Sequence, residues 1–440
     1  LIFCRPIELS KIAKDTKFIQ RNRQLSVIKF LEILFAEPGN IAKKSLTELC
    51  LGLSHVGVTM SKQGFDKKFN ENSVAFLKAV FLALFTIQMK LSIDKTTINS
   101  TIDFNTVRIL DGTSIKLTKK LQFFYPGTVD AGAKCQIEFD YLTGRFIYME
   151  IQAGKAGDSA SGIKRLESLQ KNDLILQDLG YFQYKIFEKV DGKQAFYVSR
   201  APADTMFYVD HPNPRYHKDG KIMKMYAYER LYLEEELKTM KRGTIREYPK
   251  VYLGKQAKYP TRLVIYRMTH EQEQRQEERI KRRGQTKPGK IKKKSYDVSS
   301  ISVYVTNLPQ KVPAEEVPQL YRYRWQVELV FKSWKSDMEV DFYRNMKKER
   351  WECHFYAELI LLLLSLLITY QLRVYFKEER DIILSEQITM CEVSKRIWKI
   401  WQARDQLEWE NLINELIKGL ARLGRKNIKK IKPRTDQQQK

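Results

Sequence analysis

The amino-acid sequence predicts a mixed α/β fold, helical at both ends with a sheet between. Apolar residues first recur at helical spacing, between Arg21 and about Thr86. From about Asn105 they form short runs of strand length, bounded by Gly and polar turns. Beyond Pro318 the helical period returns. At 440 residues the chain exceeds one ordinary domain, so roughly two to four units are expected. With 43% apolar and 12% aromatic residues it can bury a sizeable core, which excludes disorder as its default state.

Leu25, Ile28, Leu31 and Leu34 share one helical stripe, and Pro38-Gly39 stops it. Ser45 followed by Glu48 has the form of a capping box. Ser61 caps a short helix over Gln63–Phe69, and Val74, Leu77, Phe81 and Leu84 mark another. Lys62, Lys67 and Lys68 suit either a DNA groove or a solvated face. Val107–Leu110 reads as a strand ending in Asp111-Gly112. Cys135–Tyr141 and Arg145–Ala153 flank the turn Leu142-Thr143-Gly144 and form a hairpin. Ser159–Leu169 is helical, and Leu174–Gln177 is a strand ending at Asp178. Tyr184–Val190 is a helix and Ala195–Ser199 a strand. Three strands in a row, followed by alternating helix and strand, suit a mixed sheet. Residues 201 to about 298 interrupt this order, with Pro202, Pro212, Pro214, a strand over Thr261–Met268 and a charged run from Glu271 to Lys294. Within that run Arg279–Lys294 reads as a solvated loop or as a basic arm along a DNA backbone. Ile301–Val305 is the next strand.

Lys and Arg number 78 against 52 Asp and Glu, a net charge of +26. Such a chain attracts polyanions, either nucleic acid or an anionic membrane surface. Cys4, Cys50, Cys135, Cys353 and Cys391 lie far apart, form no CxxC pair and do not cluster with histidine. That argues against a zinc site or disulfide framework and for a reducing, cytoplasmic setting. No signal-peptide pattern opens the chain. It starts on Leu1 rather than Met, as a fragment or a chain with an unusual start codon would. Leu359–Ile368 is almost wholly Leu and Ile. A membrane-spanning helix needs roughly 20 apolar residues, so this run of about ten is expected as a buried helix.

The most informative segment runs from Tyr321 to Lys335. On a wheel of about 100° per residue, Tyr321, Arg324, Glu328 and Lys335 fall within roughly 60°. Leu320, Val327, Phe331, Trp334 and Met338 fall on the adjacent arc. One face packs on the sheet; its neighbour gathers a carboxylate, two cations and a phenol. A surface pair Arg324–Glu328 at i,i+4 would explain this blandly and be worth about 0.3–0.5 kcal/mol. A carboxylate beside cations at a core boundary also suits a phosphate site.

The spacing Tyr321-x2-Arg324-x3-Glu328-x6-Lys335 resembles the YREK signature of bacterial insertion-sequence transposases, insertion-sequence family four. Asp111-Gly112-Thr113, Asp178-Leu179-Gly180-Tyr181-Phe182 and Thr306-Asn307-Leu308 resemble further family segments in the right order. The resemblance covers about Leu25 to Ile368. It implies an RNase H-like catalytic core with a β-rich insertion, a helical N-terminal DNA-binding region and a helical C-terminal region. The expected divisions are residues 1–100, 101–200, 201–300, 301–375 and 376–440, with the core split between 101–200 and 301–375. It also implies a DDE transposase that binds terminal inverted repeats, cuts element ends and transfers strands. Asp111, Asp178 and Glu328 would be the catalytic, metal-holding residues, with Asp111 between two ions. Tyr321, Arg324, Lys335 and, less firmly tied to the motif, Arg200 would contact DNA. Gly127 and Asp158 also sit in family-like surroundings. Members that cut through a DNA hairpin carry a Trp before the Thr-Asn segment; here Tyr304 or Tyr296 would have to stack instead.

Phosphodiester cleavage needs an activated water or 3′-hydroxyl and a stabilised leaving oxygen. Two divalent ions about 3.5–4 Å apart can supply both. Mg²⁺, with Mn²⁺ as a substitute, takes oxygen ligands, so three carboxylates suffice. The expected partner is double-stranded DNA, held by a dimer in a synaptic complex, with no membrane. The expected location is the bacterial cytoplasm, on the nucleoid when DNA is bound. Taken singly, Asp111 reads equally as a turn residue and Asp178 as a helix cap. The competing classes are a catalytically inactive transposase-derived DNA-binding protein and an RNase H-like nuclease that does not transpose.

Overall fold

The computed structural model describes the chain except residues 1–5, 20–23, 36–42, 91–94, 97, 203, 287–299, 338–342, 404 and 427–440. Helices come first: α1 (Pro6–Asp15), α2 (Val27–Phe35), α3 (Leu46–His55), α4 (Lys62–Asp66) and α5 (Glu71–Lys90). Ser45 opens α3 with the full capping box, its Oγ accepting from Glu48 N while Glu48 Oε2 accepts from Ser45 N at 2.6 Å. Ser61 Oγ accepts from Gly64 N and caps α4, leaving Lys62 and Lys67 exposed. Helix α1 escaped the periodicity because it is largely polar; Leu9 and Ala13 are its buried anchors.

The middle of the chain builds a mixed sheet of ten strands. In chain order these are β1 (Val107–Lys116), β2 (Gly132–Asp140), β3 (Phe146–Ala153), β4 (Leu174–Gln177), β5 (Phe196–Arg200), β6 (Phe207–Asp210), β7 (Tyr228–Leu231), β8 (Ile245–Leu253), β9 (Tyr259–Arg267) and β10 (Ile301–Thr306). Their spatial order is β3-β2-β1-β4-β5-β10-β9-β8-β6-β7. Strand β2 is antiparallel to both β1 and β3, β4 and β5 run parallel to β1, and β10 returns antiparallel beside β5. Strands β6–β9, which interrupt the sequence order, extend the same sheet on the far side of β10. Intervening helices are α6 (Asp158–Lys164), α7 (Tyr184–Gly192), α8 (Leu233–Thr239) and α9 (His270–Thr286). The charged run therefore begins as a helix rather than a loop, its Glu-rich first turn favouring a helix N-terminus. The second half of the expected basic arm, residues 287–294, lies outside the described residues.

Strand alternation divides the core. Val107, Ile109, Leu174, Leu176, Val198 and Tyr304 face one cluster, shared with α2, α5 and the helices that follow β10. Leu110, Ile175, Tyr197, Val303 and Val305 face the other, against Ile186, Phe187 and Val190 of α7. Both faces of the central strands are covered, so all four residues of β4 are buried. A charged cluster is sealed beneath the second face. Arg108 Nη2 lies 2.8 Å from Glu138 Oε2, and Arg165 pairs with the other Glu138 oxygen. Burial alone would raise the Glu138 carboxyl; the two guanidiniums override it and hold it below the usual range.

After β10 come α10 (Glu316–Arg322), α11 (Gln326–Asp337), α12 (Lys348–Arg380), α13 (Glu386–Gln402) and α14 (Gln406–Leu423). The segment expected as one helix through Tyr321–Lys335 is tightened into a 3₁₀ turn at Tyr323–Trp325. Helix α12 has 33 residues and carries the Leu359–Leu364 run wholly inside the protein. By length and composition α5 and α12 could each cross a membrane, but 72% of the apolar window of α12 is buried within the fold.

Candidate active site

Asp111 lies inside β1, opposite Ile137 of β2, and not at a strand end. The Asp-Gly pair suggested a turn, but Gly112 has another use. A Cβ there would stand 2.9 Å from Gln136 Oε1, so the crossing Gln136 side chain needs the space. Gly112 N donates to Asp111 Oδ1 at 2.8 Å, which orients the carboxylate. Strand parity places Asp111 on the face of Val107 and Ile109.

The parallel ladder pairs Val107 with Leu174 and Ile109 with Leu176. Carried two residues further, the same register sets Asp178 level with Asp111. Asp178 follows the last residue of β4 at the cap position of a short 3₁₀ turn, yet its side chain makes no cap hydrogen bond there. The helix-cap explanation for this residue therefore fails. The β4–β5 ladder pairs Gln177 with Ser199, so Arg200 comes level with Asp178 in turn, and Arg200 pairs with Tyr304 of β10. Asp111, Asp178, Arg200 and Tyr304 thus form one row across neighbouring strands, which lie roughly 4.8 Å apart.

Helices α10 and α11 lie over this row. Tyr321, on α10, donates its hydroxyl to Asp178 Oδ1 at 3.3 Å. Arg324, in the 3₁₀ turn, reaches all three acids. Its Nη1 is 3.6 Å from Asp111 Oδ2, its Nε 4.0 Å from Asp178 Oδ1, and its Nη2 donates to Glu328 Oε1 at 2.6 Å. The Arg324 side chain is 5% exposed, whereas those of Asp178 and Glu328 are 41% and 42% exposed. Burial pushes the Asp111 carboxyl up to about 6; the Gly112 amide and Arg324 oppose the rise, and Asp178 and Glu328 add to it. Burial also pushes the Tyr321 phenol above its ordinary value.

The structure thus brings Asp111, Asp178, Glu328, Tyr321 and Arg324 together. Tyr321 and Arg324 are turned inward to the carboxylates, a deeper placement than the polar helix face suggested. Arg200 joins them through the strand row; among the described residues its buried Nε has no hydrogen-bond partner. Lys335 lies on α11, with its side chain outside the described residues. Tyr304 is buried, with its ring 5.3 Å from that of Tyr321, so it is not free to stack on an extruded base as it stands. Tyr296 lies outside the described residues. Gly127 has a local reason: an added Cβ would collide with the Asp130 carbonyl. Asp158 opens α6, with its side chain outside the described residues. Sequence spacing did not single out Trp325, which is exposed with its ring 4.9 Å from the Arg324 guanidinium.

Chemically, the three acids form an all-oxygen donor set of the kind hard divalent cations take. Among the described residues no three Asp, Glu, His or Cys side chains already stand as a chelating group; what the acids share is one guanidinium.

A family model described as "Transposase DDE domain" matches residues 103–364. The transposase for insertion sequence element IS231F of Bacillus thuringiensis subsp. israelensis is 33% identical over 434 residues, covering 97% of this chain and 90% of that protein. The transposase for insertion sequence element IS1151 of Clostridium perfringens is 29% identical over 395 residues, covering 86% and 81%. Among solved structures, a piggyBac transposase synaptic complex with hairpin DNA aligns with 94% of this chain and 83% of that one, at 9% identity and a TM-score of 0.46. The domain match encloses Asp111, Asp178 and Glu328, and the insertion-sequence relatives match nearly end to end, so the chain belongs to the family of DDE-domain transposases.

Proposed function

We propose that this chain is a cut-and-paste transposase that binds the terminal inverted repeats of its element as a dimer, cleaves the DNA ends and joins them to new DNA. The observation that carries the reading is the convergence of Asp111, Asp178 and Glu328 on Arg324. Three carboxylates around one guanidinium leave a local excess of negative charge, which divalent ions would balance.

The family implies a divalent metal. The oxygen donors, two of them half-open to solvent, fit Mg²⁺, with Mn²⁺ as a substitute. Held by Asp111, Asp178 and Glu328, the ions would activate the attacking water or 3′-hydroxyl and stabilise the leaving oxygen. The chain's own residues prepare that site. Pairing between β1 and β4 fixes the two aspartates, and Tyr321 orients Asp178. Arg324 keeps the acids together, and its planar guanidinium suits a phosphate held beside them. Arg200, level with Asp178, and Lys335, two turns beyond Glu328, are further cations for the DNA backbone.

The order β3-β2-β1-β4-β5, antiparallel up to β1 and parallel beyond it, supports an RNase H-like core over residues 101–200 and 301–375. Strands β6–β9 support a β-rich insertion over 201–300. The leading helices, with exposed Lys62 and Lys67, support DNA binding by residues 1–100, and α13 and α14 a helical region over 376–440. The net charge of +26 supports duplex DNA as the partner, and cysteine usage supports a bacterial cytoplasmic setting, on the nucleoid when DNA is bound.

The test is incubation with the element's end DNA, with and without Mg²⁺. Nicking at the boundary and joining of the 3′ end are expected with the ion alone, and both are lost in Glu328→Gln. Tight end binding without nicking at any metal concentration would make the chain a DNA-binding relative with its site closed by Arg324. Nicking without joining would make it an RNase H-like nuclease.

A further inference from the structure

The connection from β1 to β2 carries an arrangement that cleavage and joining do not use. Phe123 is 89% exposed, Val129 86% and Phe124 50%, all within one loop. Leaving such apolar area in water is unfavourable, and a patch rimmed by charge marks an interaction site. The loop backbone is firmly held. Leu117 N bonds Ala131 O, Gly127 N bonds Asp130 O, and Gly132 N bonds Tyr125 O. Beneath it, Leu121 is buried, and Tyr125 packs edge-on against Trp351 and donates to Glu352 Oε1 at 2.6 Å. The exposed rings therefore ride on a rigid base.

The surroundings are cationic. Lys116, Lys119 and Lys120 are exposed on the loop and its approach, and Lys348 Nζ stands 5.0 Å from the Phe124 ring. Asp130 is the one acid between Lys116 and Ala131. The start of α12 and its cap residue, which grip the loop, also hold the N-terminal region, through Lys347 to Asp66 and Arg350 to the Lys44 carbonyl. The loop leaves the end of β1 five residues past Asp111, at roughly 3.3 Å per residue about 17 Å from the acidic cluster.

We infer that the β1–β2 loop is a DNA wedge, Phe123 entering between base pairs of a duplex away from the cleavage point, beyond the end of β1, while the lysines hold its backbone. Apolar wedges flanked by cations bend DNA by unstacking one step, and the bent duplex then meets more protein surface. The inference rests on the proposed DNA-binding reading. The duplex could be the element end or the target, and the chemistry of recognition is the same.

The experiment uses the full chain in EDTA with two sets of duplexes, end DNA and target DNA. Each carries 2-aminopurine at successive positions, and paired dyes report bending. One position in one set is expected to brighten and the duplex to bend. Phe123→Ala should remove both signals and weaken binding to that set on the order of tenfold. Phe123→Leu should keep most of the bend. The set that brightens identifies the duplex engaged. Unchanged unstacking and bending with Phe123→Ala overturns the inference, while loss of a solution dimer with intact DNA bending reassigns the patch to contact between copies. A chain that binds neither set fails the DNA-binding reading itself, a result distinct from either.

Discussion

Replacing Asp111 by Asn is expected to stabilise the metal-free protein while abolishing cleavage. The carboxyl is raised from 3.8 to about 6 because burial disfavours its charged form more than Arg324 and the Gly112 amide favour it. About two pKa units correspond to roughly 3 kcal/mol. An acid whose folded value lies above its unfolded value contributes stability that is fully present below about pH 4 and lost as pH rises through about 6. Asparagine has no charge to bury, so the variant escapes that loss. Urea denaturation in EDTA, followed by tryptophan fluorescence, should show the two proteins within about 1 kcal/mol of each other near pH 4.5. By pH 8 they should differ by on the order of 3 kcal/mol in favour of Asp111→Asn. Titrations of groups far from the site cancel in the comparison. Adding Mg²⁺ at pH 8 should raise the midpoint of the parent chain more than that of the variant. A difference independent of pH, or a variant less stable at pH 8, would refute the assignment of the cost to a buried charge.

Arg324→Met should cost about 2 kcal/mol in EDTA at pH 8, most of it from Asp111, since Asp178 and Glu328 are partly screened by solvent. Denaturation with added Mg²⁺ should recover part of that loss, and no recovery would deny the acids a cation site. Arg200→Gln should lower the slope of log affinity against log salt by about one ion in a duplex-binding titration, and an unchanged slope would place Arg200 off the DNA. Gly127→Ala should destabilise by about 1–3 kcal/mol, because its methyl meets the Asp130 carbonyl. Hydrogen exchange should show the loss concentrated in residues 117–132; uniform protection would remove the steric argument.

Local elements were legible where sequence neighbours decide them. Leu174–Gln177 is β4 residue for residue, and Ser45 with Glu48 closes the capping box expected of them. Asp111-Gly112 misled because Gly was read as a turn former, while its use is room for Gln136 from the next strand. The 3₁₀ turn at Tyr323–Trp325 was equally hidden, since a uniform wheel cannot show where a helix tightens. The candidate acids could be named from motif spacing, but their alignment could not. That Asp178 stands level with Asp111, and Arg200 with Asp178, follows from strand register, which is set by pairing between distant segments. The inward turn of Tyr321 and Arg324 has the same origin, because their partners come from elsewhere in the chain.

Asp111 rides within a hydrogen-bonded strand and Asp178 directly follows one, whereas Glu328 sits on a helix joined to its predecessor by a single tightened turn. Spacing between the first two is as stiff as the sheet. The distance to the third is set separately, by how Val327 and Phe331 seat their helix in the core, so the protein works like a vice with one jaw cast in place and the other bolted on.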